Sequence, residues 1–69
     1  MATWNGRDAD EPALEVLFEF TQIGVQMRVA AIDVRSRVEV VVIAPASASR
    51  ADMQALALSK LKRRLSVPR

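Results

Sequence analysis

The sequence predicts an α+β fold: a three-stranded antiparallel β-meander followed by one C-terminal α-helix packed on one sheet face. Three observations predict it. Apolar and polar residues alternate from Leu14 to Thr21 and again from Val25 to Ile32, the period of strands with one buried side. A run rich in β-branched residues, Val38 to Ala44, closes at Pro45. Beyond Ser49, apolar residues recur at the helical period.

In the first strand Leu14, Val16, Phe18 and Phe20 share one side, and Glu15, Leu17, Glu19 and Thr21 the other. Gly24 follows in the segment where a tight hairpin needs a residue tolerant of positive φ. In the second strand Val25, Met27, Val29 and Ala31 form the apolar side, opposite Gln26, Arg28, Ala30 and Ile32. With the apolar sides aligned, Arg28 falls on the surface of Glu15 and Glu19, where a cross-strand ion pair is modestly favourable. Asp33 is suited to open the second turn, Asp33-Val34-Arg35-Ser36-Arg37, by accepting from backbone amides two residues on. The third strand carries one charge, Glu39, and so suits burial on both faces.

Ser49-Arg50-Ala51-Asp52 has the form of a capping box with Asp in the usual Glu or Gln place. Met53, Ala57, Leu58, Leu61 and Leu65 then make one helical stripe, and Pro68 prevents continuation. The stripe covers the sheet face of Leu14, Val16, Phe18, Phe20, Met27, Val29, Val40 and Val42, one layer of each kind. The domain spans residues 13–66, between an acidic flexible tail at 1–12 that contains Trp4 and a short tail at 67–69.

A chain of 69 residues has room for one domain and buries only about 60% of its unfolded surface. It contains no Cys and no His, so disulfide staples and the common structural zinc sites are ruled out. Oligomerisation is the remaining aid to stability. The outer sheet face keeps Leu17, Ile32, Val41 and Ile43 among its charges, and Leu56 lies off the helical stripe. These five are the candidate interface of a homodimer, joined either by that face or by strand edges.

The formal charge of +2 hides a segregation: Asp8, Asp10, Glu11, Glu15 and Glu19 lie early, while Lys60, Lys62, Arg63, Arg64 and Arg69 lie late. Late cations complement the negative end of a helix dipole without any ligand. As an anion-contacting set, Arg50, Lys60, Lys62, Arg63 and Arg64 are the candidates for phosphate contacts. A sheet face carrying Glu15, Glu19 and Glu39, with no aromatic residue to stack on bases, speaks against nucleic acid. A lipid-surface helix is disfavoured because its leucines are needed against the sheet.

No nucleophile has a His beside it, and the serines sit where turns and caps need them. Glu15 and Glu19 are four strand positions apart, roughly 13 Å, too far for a paired-acid or shared-cation site. Gly6 and Gly24 are isolated, so there is no phosphate-cradling loop. No catalytic, metal-binding or cofactor-binding residue is assigned, and no enzyme activity is expected. No stretch approaches the ~18 apolar residues of a membrane span, and no basic start leads into an apolar run; a cytoplasmic location is expected.

The run Glu15-Val16-Leu17-Phe18-Glu19-Phe20, then Ile23-Gly24, Ala31-Ile32-Asp33, and Glu39-Val40 through Ala44-Pro45-Ala46-Ser47-Ala48 resembles a family of very short uncharacterised proteins from alphaproteobacteria, over about residues 14–65. In that family the second hairpin resembles Asp-Pro-x-Thr-Gly and the exit of the third strand Gly-Pro-Ala-Ser. This chain has Val34, Ser36 and Arg37 at the former and Ala44 before Pro45 at the latter. The resemblance implies a bacterial cytoplasmic protein with one compact domain and no activity or site to transfer. The expected function is a non-enzymatic interaction or regulatory module acting as a homodimer, with weak nucleic-acid binding through the basic helix as the alternative.

Overall fold

The computed structural model describes residues 2–5 and 15–67. Strands β1 (Ala2–Asn5), β2 (Glu15–Ile23), β3 (Gln26–Asp33) and β4 (Glu39–Pro45) precede one helix, α1 (Arg50–Ser66). The strands form a single sheet in the order β1-β2-β3-β4, each pair antiparallel. The three expected strands and the helix are therefore present in the expected order. The addition is β1, which lies within the stretch read as a tail and pairs Trp4 with Val16 and Ala2 with Phe18. The acidic run Asp8-Ala9-Asp10-Glu11, together with Leu14, lies outside the described residues.

Register confirms the division of faces. Val16 pairs with Asp33, Phe18 with Ala31 and Phe20 with Val29, and β4 continues the rows with Val40 opposite Ala31 and Val42 opposite Val29. Val16, Phe18, Val29 and Ala31 are fully buried on this inner face, and Val40, Val42 and Ala44 nearly so. Met53, Ala57 and Leu61 of α1 complete the core, with Phe20, Met27, Val38, Ala48 and Leu58 packed around it. The helix packs on β3 and β4. Leu65, expected on the buried stripe, is exposed at the last turn.

Two hairpins of different construction set this register. Between β2 and β3 only Gly24 and Val25 turn, with Ile23 opposite Gln26. Gly24 has φ 62° at the first central position, the residue pattern of a type II′ turn. Val25 is thus a turn residue rather than the start of a strand, and it is exposed. Between β3 and β4 the turn is built around Asp33. Its Oδ2 accepts from the Ser36 hydroxyl at 2.6 Å and the Ser36 amide at 3.1 Å, three residues on rather than two. The Ser36 hydroxyl in turn accepts from the Val38 amide at 3.2 Å. Backbone bonds close the loop, Asp33 N–H to Val38 at 2.9 Å and Arg37 N–H to Asp33 at 2.8 Å.

The helix starts as its cap predicts: Ser49 is extended and its hydroxyl accepts from the Asp52 amide at 3.0 Å. Among the described residues the return bond from the Asp52 carboxylate to the Ser49 amide is not made. Asp is one methylene shorter than the Glu that usually makes it. At the other end Val67 returns to extended backbone, as the residue before a proline must.

Candidate functional site

The outer face of the sheet is assembled in rows. Leu17, Ile32 and Glu39 align; then Glu19, Ala30 and Val41; then Thr21, Arg28 and Ile43; then Ile23, Gln26 and Pro45. Four of the five candidate interface residues therefore share this face. Leu17, Ile32 and Val41 are half-buried, and Ile43 is 55% exposed. Ala30, the shortest side chain in the centre of these rows, is fully buried.

Two expectations are corrected here. Arg28 stands opposite Thr21 rather than a glutamate, with Glu19 opposite Ala30, so the charges share the face but meet on a diagonal of roughly 7–8 Å between Cα atoms. No direct cross-strand pair results. Second, the apolar run of the last strand is not buried on both sides. β4 is the edge of the sheet, so nothing in the strand order shields Ile43 from solvent.

Leu56, the fifth candidate, does not join the outer face. It projects from α1 on the other side of the sheet and lines a groove of about 410 Å³ between the helix and β4. The floor of that groove is Val40 and Val42, and the helix supplies Leu56, Lys60, Arg63 and Arg64. Three of the five candidate anion-contacting residues thus converge on one groove. Lys62 lines a neighbouring hollow with Leu58 and Arg63. Arg50 is elsewhere: it starts the helix, about 20 Å from Arg63 at 1.5 Å per residue, and its guanidinium lies 4.3 Å from the centre of the Phe20 ring. That cation–π contact gives Arg50 a packing role.

Lys60 is exposed yet engaged. Its ammonium donates to the Val41 carbonyl at 2.7 Å, so that carbonyl points away from β3 and along the open edge. Because backbone direction alternates along an antiparallel strand, Glu39 and Ile43 present their amide groups to the same edge.

The groove had a signal in the sequence. Leu56, Lys60, Arg63 and Val67 are spaced i, i+4, i+7 and i+11, a second helical row beside the core stripe.

Asp33 is the one buried ionisable residue in the described core, 5% exposed. Its carboxyl is held below the ordinary aspartate range, first by the Ser36 hydroxyl, with burial opposing and the amides of Ser36 and Arg35 and the Arg35 charge assisting. Oδ1 is buried without a hydrogen-bond partner. The residue's bonds all run within its own turn, which makes it a structural carboxylate. Among the described residues no three His, Cys, Asp or Glu side chains come together in a way that could hold a metal ion. Among them, too, no helix is long and apolar enough to cross a membrane.

No curated protein and no solved structure matches the chain. A family model does: it is described as a domain of unknown function, DUF6898, and it matches residues 13–68. The matched region holds β2, β3, β4 and α1, the elements that carry the five candidate interface residues and the groove, and the chain therefore belongs to the DUF6898 family.

Proposed function

We propose that this chain is a small non-enzymatic protein-interaction module of the bacterial cytoplasm that acts as a homodimer through the outer face of its sheet. The observation that carries the reading is the apolar set Leu17, Ile32, Val41 and Ile43 on one face, with Ile43 more than half exposed. A large β-branched residue left open to water beside half-buried neighbours has apolar area to gain from a partner. A two-fold arrangement presents the same patch from both copies. It also allows Arg28 of one copy to approach Glu19 of the other, a pairing the single sheet offers only on the diagonal.

Size-exclusion chromatography with light scattering at micromolar concentration tests this. A dimer that Ile43→Glu converts to monomer supports the outer face; a clean monomer for the unaltered chain ends the reading. The alternative, weak nucleic-acid binding, draws support from Lys60, Arg63 and Arg64 sharing one groove. Titration of short DNA and RNA duplexes at two salt concentrations separates the two, since phosphate contacts weaken steeply as salt rises.

A further inference from the structure

We infer that the edge of β4 and the groove beside it form a docking site for an extended acidic segment of a partner protein, which adds to the sheet as a further strand. This gives the proposed interaction module a partner class, and it does not depend on dimerisation through the outer face.

Three features converge on the site. β4 is the last strand of the sheet, so among the described residues the backbone groups of Glu39, Val41 and Ile43 on its outer side have no strand to pair with. An open edge of this kind is the template on which peptides dock by strand addition. Next, the helix side of that edge is a groove with Val40, Val42 and Leu56 as its apolar lining and Lys60, Arg63 and Arg64 around it. In an added strand, alternate side chains drop into this groove, so apolar and acidic residues in that strand meet their complements. Finally, Lys60 already holds the Val41 carbonyl at 2.7 Å. A lysine on an edge discourages indiscriminate pairing, and a carboxylate on the incoming segment gives the displaced ammonium a charged partner in place of a neutral one.

The same charges choose between occupants. If two copies paired through β4 about a two-fold axis normal to the sheet, both helices would lie on one side. Lys60, Arg63 and Arg64 of each would then face their own counterparts across the seam. Like charges at such close approach oppose that assembly, whereas an acidic segment relieves them. The edge is therefore assigned to a different chain.

The test is amide hydrogen exchange followed by NMR on the full chain. Two capped nine-residue peptides serve as probes: Thr-Val-Thr-Glu-Thr-Val-Thr-Glu-Thr, which presents valine and glutamate on one and the same face, and the same sequence with lysine in place of glutamate. The acidic peptide is expected to slow exchange at the Val41 and Ile43 amides at least tenfold, with the basic peptide leaving them unchanged. The exposed double variant Lys60→Glu/Arg63→Glu is expected to reverse that preference. No protection of these two amides at millimolar acidic peptide overturns the inference, as does equal protection by both peptides. Protection that grows with protein concentration and no peptide also overturns it, since the edge then binds a second copy. Light scattering on the same samples reports the outer-face dimer separately, so failure of one reading is not mistaken for failure of the other.

Discussion

On the helix side of the sheet Val16, Phe18, Val29 and Ala31 have no exposed surface, while their neighbours one position along, Leu17, Ile32 and Val41, keep part of theirs and Ile43 keeps 55%. Both faces use the same strands and much the same residue types. The difference is what lies above them: Met53, Ala57 and Leu61 close the inner face, and among the described residues no helix packs on the outer one. Apolar character alone thus says which residues can be buried, and a covering layer says which are. The inner face is fold; the outer face and the open edge of β4 are where both proposals of interaction rest.

The largest effect that sharpens this contrast is expected at Phe18, the bulkiest fully buried side chain. Phe18→Ala removes ring contacts and leaves a cavity worth about 3–5 kcal/mol, close to the whole stability of a domain of this size, roughly 3–10 kcal/mol. Urea titration should find it largely unfolded; a midpoint near that of the unaltered chain would mean the inner face is not the core.

Asp33 comes next, at the end of an inner-face row beside Val16. Asp33→Ala strips the acceptor from the Ser36 hydroxyl and amide and is expected to cost about 1–3 kcal/mol. The folded-state carboxyl is held below its ordinary range. Its contribution is therefore complete above the ordinary aspartate value and is lost as pH falls through the lowered one. Chemical denaturation of Asp33→Asn between neutral and acid pH should show a flatter loss of stability at the acid end than the unaltered chain.

A smaller gain is expected at Arg37, which has φ 65°. Arg37→Gly removes the left-handed penalty at a larger unfolded-state entropy, for a net stabilisation of at most about 1 kcal/mol. A lowered melting temperature would contradict this. Smallest of all is Ile43→Thr on the outer face, which keeps β-branching at a side chain 55% exposed. Its effect on the monomer should stay within about 0.5 kcal/mol, in contrast to Phe18→Ala.

Arg37 also shows how far the resemblance in the sequence carried. What the resemblance implies at this turn is Asp-Pro-x-Thr-Gly, with glycine in the place of Arg37 and Thr in that of Ser36. The structure puts positive φ at the former and the hydroxyl that bridges Asp33 to the Val38 amide at the latter. The turn holds Arg37 at positive φ because Asp33 and Ser36 tie it down. The candidate site was legible only in part. Leu17, Ile32, Val41 and Ile43 were grouped correctly since strand alternation assigns faces locally. Leu56 lines the groove instead, because it comes from a helix whose placement over β3 and β4 no local pattern states.

What the residues determined by themselves were the local elements: two alternating strands, a β-branched third, a Ser49 cap and a helical stripe. Alternation, capping and the helical period act over a few residues and need no knowledge of neighbours in space. What only the tertiary structure decided was adjacency. It set Ala2–Asn5 against β2, left β4 at the open edge, laid Lys60 on the Val41 carbonyl, and split the cations into a groove and a lone Arg50 over Phe20. The reason is that strand order and helix placement are resolved by burying the most apolar area over contacts distant in sequence, and the groove and the open edge are what that burial leaves uncovered.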